Sequence, residues 1–90
     1  MAKYFYVQVT DTFGGDANYS WVTRHKVRAS SERGAIVRIN RHSGLGFRRT
    51  GDYGYCLRFD SRSGATCAFV SEWDDSYADE TYARINTDLA

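Results

Sequence analysis

Lys3-Tyr4-Phe5-Tyr6-Val7-Gln8-Val9-Thr10 opens the chain with a period of two. Phe5, Val7 and Val9 share one face, Tyr4, Tyr6 and Gln8 share the other, and this alternation is the mark of a half-buried β-strand. The same period returns from Ser20 to Ala29. There Trp21, Thr23, His25, Val27 and Ala29 fall on one face, and Val22, Arg24, Lys26 and Arg28 on the other. Residues 11 to 18 carry Gly14-Gly15 between the two runs and read as a loop, so the expected first unit is an antiparallel hairpin.

Outward from that hairpin, Ser30-Ser31 offers a helix N-cap, and Glu32 suits the positive end of the helix dipole. Ala35, Ile36 and Ile39 give the following segment an apolar stripe up to Ser43. Gly44 then closes it, with Leu45 placed for the hydrophobic contact of a Schellman motif. Gly46 to Thr50 begins a strand that the turn-like Gly51-Asp52-Tyr53-Gly54 interrupts. A second hairpin is expected from Tyr55 to Asp60 and from Ala65 to Trp73, joined by a three-residue loop at Arg62-Ser63-Gly64. In that register paired residues have numbers summing to 126, so Phe59 meets Cys67 and Leu57 meets Phe69, with all large apolar groups on one face. Cys56 then projects from the opposite face to Cys67, and no disulfide joins them. Finally, Ala78, Tyr82, Ile85 and Leu89 have helical spacing, and Ser76 with Asp79 approximates a capping box, which predicts a helix from Asp74 to Leu89. The expected fold is a single α+β domain over residues 1–90, an antiparallel sheet in ββαββα order.

A chain of 90 residues with 42% hydrophobic and 16% aromatic residues has material for one core and excludes disorder. Met1 to Tyr6 contains no apolar signal region, and no apolar run is long enough to span a bilayer, so a cytoplasmic protein with reduced cysteines and no membrane partner is expected. The net charge is only +1, yet the signs are segregated. Residues 1–50 hold nine Lys/Arg against three acids, and residues 72–90 hold six acids against Arg84 alone.

Three groups of residues bear on function. On the first hairpin, the face away from the core carries Tyr4 and Tyr6 beside Arg24, Lys26 and Arg28, a combination able to pair phosphates and stack bases, or simply to stabilise a sheet face. Arg33, Arg38 and Arg41 lie on the helix face opposite the apolar stripe, and with Arg48-Arg49 they either extend that surface or form a second one. The acidic C-terminal helix, laid against the basic half, would mask it. His25 sits on an apolar strand face and reads as a packed, hydrogen-bonded histidine; His42 lies in the last helical turn, where a cation suits the dipole. Cys56 and Cys67 do not have zinc spacing, and the acidic run from Glu72 to Glu80 lacks the glycine and alternation of a calcium loop. Gly44-Leu45-Gly46 is no dinucleotide fingerprint. No cofactor, metal or catalytic site is expected, and the protein reads as a non-enzyme.

Val9-Thr10-Asp11-Thr12-Phe13-Gly14-Gly15 through Asn18-Tyr19-Ser20-Trp21-Val22, Ser31-Glu32-Arg33-Gly34-Ala35-Ile36 and Gly64-Ala65-Thr66-Cys67-Ala68-Phe69-Val70 resemble segments of short uncharacterised proteins of actinobacteria and their phages. The resemblance implies a phage or prophage setting, in which small accessory domains bind host proteins or nucleic acids. No catalytic or binding residue transfers with it. The near-zero bulk charge favours a protein partner over nucleic acid. The expectation is therefore an accessory protein that binds and modulates a host protein, including a component of anti-phage defence. The alternative is a nucleic-acid binder using Tyr4, Tyr6, Arg24, Lys26 and Arg28.

Overall fold

The computed structural model describes residues 3–73 and 87–89. Strand β1 (Lys3–Phe13) turns at Gly14-Gly15 into β2 (Asp16–Ala29). Both glycines have left-handed backbone, with φ of 61° and 91°, as a two-residue hairpin turn requires. Phe5 faces Val27, Tyr6 faces Lys26 and Gln8 faces Arg24, which keeps the expected faces of the two strands together. Helix α1 (Glu32–Ser43) follows, then β3 (Arg48–Asp52), β4 (Leu57–Asp60), β5 (Thr66–Glu72) and β6 (Thr87–Leu89). The strands lie side by side as β3-β4-β5-β1-β2-β6, antiparallel at each junction except β2–β6, which is parallel.

The caps of α1 match the sequence reading. Ser31 Oγ accepts from the Gly34 N–H at 3.1 Å, and the Gly44 N–H donates to the Asn40 carbonyl at 2.8 Å from a left-handed φ of 72°. Leu45 does not close the expected Schellman contact; it stays exposed and donates its N–H to Ser43 Oγ. Asn40 instead ties down the chain after the helix. Its side chain accepts from the Phe47 N–H at 2.6 Å and donates to the Phe47 carbonyl at 3.0 Å, which delivers the Phe47 ring into the core.

One core results, between α1 and one face of the sheet. Phe5, Val7, Val9, Val27, Ala35, Ile36, Ile39, Phe47, Phe59, Ala68 and Val70 form it, and several of them are completely buried. Burial of each large side chain here stabilises by about 1.5–3 kcal/mol.

Three expectations are corrected. The strand after α1 is not cut off at Thr50: it continues to Asp52 across a bulge between Arg49 and Gly51 and pairs with β4 as an edge strand. The second hairpin is displaced by one residue, since Phe59 faces Ala68, Asp60 faces Cys67 and Leu57 faces Val70. The cause is a four-residue loop. The Ser61 N–H donates to the Thr66 carbonyl, Ser61 Oγ and Ser63 Oγ accept from the Thr66 and Ala65 N–H groups, and Thr12 of β1 binds the Gly64 and Ala65 carbonyls. Ala65 is thereby held in the loop rather than in the strand. A one-residue slip reverses a strand's faces, so Phe69 leaves the core side and joins Arg58 on the other. Cys56 and Cys67 then share a face, contrary to the expectation, yet both are free. Cys67 pairs with Asp60, four residues along from Cys56, or about 13 Å of strand.

The third correction is at the C-terminus. The helix expected over Asp74–Leu89 does not reach its predicted end, because residues 87–89 form a strand in which Thr87 faces His25 and Leu89 faces Val27. The exposed N–H and C=O row of β2 supplies ladder partners that fraying terminal residues of a helix would lack. The remainder of that expected helix, residues 74–86, lies outside the described residues, as do its capping box and its acidic face. The described chain is therefore one helix against a predominantly antiparallel sheet, in β1-β2-α1-β3-β4-β5-β6 order. No described helix is long and apolar enough to cross a membrane.

Candidate interaction surface

The sheet face away from α1 collects the residues that alternate with the core. Cross-strand pairing puts Tyr4 opposite Arg28, Tyr6 opposite Lys26 and Gln8 opposite Arg24, so the expected basic and aromatic residues of the first hairpin do come together. They do not form an open cradle. Tyr6 is buried, and the Trp73 ring packs edge-on against it at 6.2 Å between centroids. The Lys26 ammonium lies 4.7 Å from the ring centroids of both Tyr4 and Trp73. A cation between two aromatic faces is stabilised where it stands and is withdrawn from a ligand. Tyr4 and Arg28 remain exposed, and Arg24 is half-buried.

Arg33, Arg38 and Arg41 lie on the exposed side of α1, in the other layer of the molecule. The eight residues are thus two separate groups on opposite sides of the sheet. Arg38 alone bridges toward β2, its Nη1 donating to the Arg28 carbonyl at 2.9 Å.

A second aromatic group on the same face as Tyr6 was not legible in the sequence as a site. Phe69 is its centre. The Tyr19 ring stacks nearly parallel to it, 6.4 Å away at 11°, and the Tyr53 ring lies tilted against it at 6.4 Å and 30°. Tyr19 reaches Phe69 because β2 bulges: four residues, Asn18 to Trp21, oppose the single Asp11 of β1. Tyr19 takes a left-handed φ of 59° there, which a bulky side chain adopts only when its surroundings impose it. Asp11 does so, accepting from the Ser20 N–H at 3.1 Å, the Ser20 hydroxyl and Asn18 Nδ2 at 2.7 Å. The same bonds, that of the Ser20 hydroxyl above all, lower the Asp11 carboxyl to about 2.

Arg58 underlies the group. Its Nε meets Asp60 Oδ1 at 2.9 Å, one Nη binds the Gly15 carbonyl, and the guanidinium lies 6.0 Å from the Phe69 ring centroid. The Asp60 bond holds the Arg58 proton more tightly than usual, so the charge is fixed and neutralised in place. Around this base Tyr6, Tyr19, Tyr53, Tyr55, Arg58 and Phe69 line a groove of about 540 Å³. Tyr55 is 82% exposed at its rim, and Phe13, 80% exposed, stands at the end of the first hairpin. The sequence signal for this groove was Tyr53, Tyr55 and Phe69 in and around the second hairpin, but a turn assignment for the first and a core assignment for the last concealed it.

Comparison with protein-family models, curated proteins and solved structures finds no match to this chain. Among the described residues no three His, Cys, Asp or Glu side chains lie together as a metal would require. His25 is buried, 6.0 Å from the His42 ring, and burial, followed by the His42 charge, lowers its pKa. It is packed as expected, but its Nδ1 has no hydrogen-bond partner among the described residues.

Proposed function

We propose that this chain is a non-enzymatic accessory protein of the cytoplasm that binds a partner protein through the groove formed by Tyr19, Tyr53, Tyr55 and Phe69. The observation that carries the reading is a concave row of partly exposed aromatic rings whose one cation, Arg58, is already neutralised by Asp60. Rigid aromatic side chains give large contact area at small entropic cost and dominate protein interfaces. Phosphate binding needs free cations beside such rings, and here Lys26 is enclosed between Tyr4 and Trp73. The resemblance to short proteins of actinobacteria and their phages makes a host protein, including a component of anti-phage defence, the partner class.

The test is affinity purification from host cells with nuclease treatment, comparing the native chain with Tyr53→Ala/Tyr55→Ala. A partner retained through nuclease and lost with the double substitution is the expected result. Salt-sensitive binding of single-stranded DNA or RNA, unaffected by that substitution, would replace this reading with the nucleic-acid one.

A further inference from the structure

Helix α1 covers only part of its side of the sheet. It packs chiefly on β1, β2 and β5, leaving the β3–β4 side with no helix above it among the described residues. A groove of about 510 Å³ runs along this margin. Its apolar floor includes Ile36, Val37 and Leu57, with Val37 40% exposed and Leu57 half-buried. Arg33 from α1 and Arg49 from β3 stand around it, both exposed; Arg49 pairs with Phe59 and projects to this face, whereas Arg48 pairs with Asp60 and projects to the other. Among the described residues neither of these two groove guanidinium groups makes a hydrogen bond or ion pair. Glu32 is the one acidic residue lining the groove.

The geometry points to this groove as a docking site for an acidic amphipathic helix of a partner protein, distinct from the aromatic groove on the other side of the sheet. Three features select that occupant. Exposed apolar surface beside a helix, on a sheet, is the seat a second helix takes in a two-layer fold, where interaxial distances of about 8–10 Å are usual. Two arginines without a partner among the described residues, against one glutamate, favour a negatively charged occupant, and guanidinium groups pair carboxylates in a two-point geometry. The floor argues against nucleic acid, because Phe47 and Phe59, the aromatic residues of the lining, are each only 4% exposed and offer no face on which a base could stack. Apolar side chains of the helix would meet Val37 and Leu57, while flanking Glu or Asp residues would meet Arg33 and Arg49.

The probe is a synthetic helical peptide of about 15 residues with Leu along one face and Glu on both flanks, titrated into the full chain and followed by amide chemical shifts. Shifts at Arg33, Val37, Arg49 and Leu57 are expected. Arg33→Ala and Arg49→Ala should each weaken binding by about tenfold, Val37→Glu should abolish it, and added salt should weaken it. Arg41→Ala, on the same helix but outside the groove, should leave it unchanged. A peptide with Gln in place of Glu should fail. The four substituted positions are exposed, so folding is expected to survive and is checked by thermal melting. No shifts at about 1 mM peptide, or equal affinity of the Arg49→Ala variant, overturns the proposal. So does displacement of the peptide by a single-stranded oligonucleotide, or self-association of the native chain that Arg49→Ala removes.

Discussion

The two faces of the sheet are cut from the same strands and have opposite character. Toward α1, Phe5, Val7 and Val9 of β1, Leu57 and Phe59 of β4 and Ala68 and Val70 of β5 make an apolar surface that is closed where the helix covers it. On the other side the intervening positions hold Tyr6, Arg58, Phe69, Lys26 and Thr10, joined by ring contacts, a cation between rings and an ion pair. The first face needs only volume and shape, whereas the second needs particular partners for each polar atom. That difference separates the residues that hold the fold from those available for contact. On the proposed reading, contact falls at the end of the sheet where Tyr19, Tyr53 and Tyr55 stand, rather than where Lys26 lies between rings.

The largest effect should come from the closed face. Phe5→Ala empties a fully buried site and should cost about 3–5 kcal/mol in denaturant unfolding. A cost near that of a surface substitution would show that α1 does not cover the sheet there. Next, Ser31→Ala removes the acceptor for the Gly34 N–H and should cost about 1 kcal/mol, with Ser31→Asp restoring it. If both variants match the native chain, the cap is irrelevant to holding α1 on the closed face.

Acid should then dissect the two faces in sequence. His25 belongs to the closed face, and its pKa is lowered from 6.5, so the unfolded chain binds its proton first and stability falls as the pH drops below that value. Asp11 supports the open face, and its carboxyl lies at about 2 against 3.8 unfolded. Its contribution is present above 3.8 and is lost as the pH falls through about 2. Urea midpoints measured against pH should lose the first step in His25→Gln and the second in Asp11→Asn; profiles unchanged by either substitution would contradict the assignment. The smallest effect belongs to Tyr55→Ala, which should shift stability by no more than about 0.5 kcal/mol while weakening partner capture. A destabilisation as large as that of a core residue would make the groove a structural element.

The sequence by itself determined what depends on neighbours within one turn or one pair of strands. The period of two in residues 3 to 10 and 20 to 29 was enough to give β1 and β2 and the faces they present, and Ser31, Ala35, Ile36, Ile39 and Gly44 defined α1 from cap to cap. Tertiary structure decided the remainder, because the groups responsible are remote in sequence. Thr12 of β1 and the hydroxyls of Ser61 and Ser63 hold Ala65 in its loop, and that single residue sends Phe69 to the open face and makes the groove. Thr87–Leu89 became a strand because β2 offered an unpaired edge. The arginines that looked like one basic surface were divided by the sheet, since Arg24, Lys26 and Arg28 project from one side of it while α1, with Arg33, Arg38 and Arg41, packs on the other. Charge in a sequence carries sign and spacing, but which charges share a surface follows only from how strands and helix are layered.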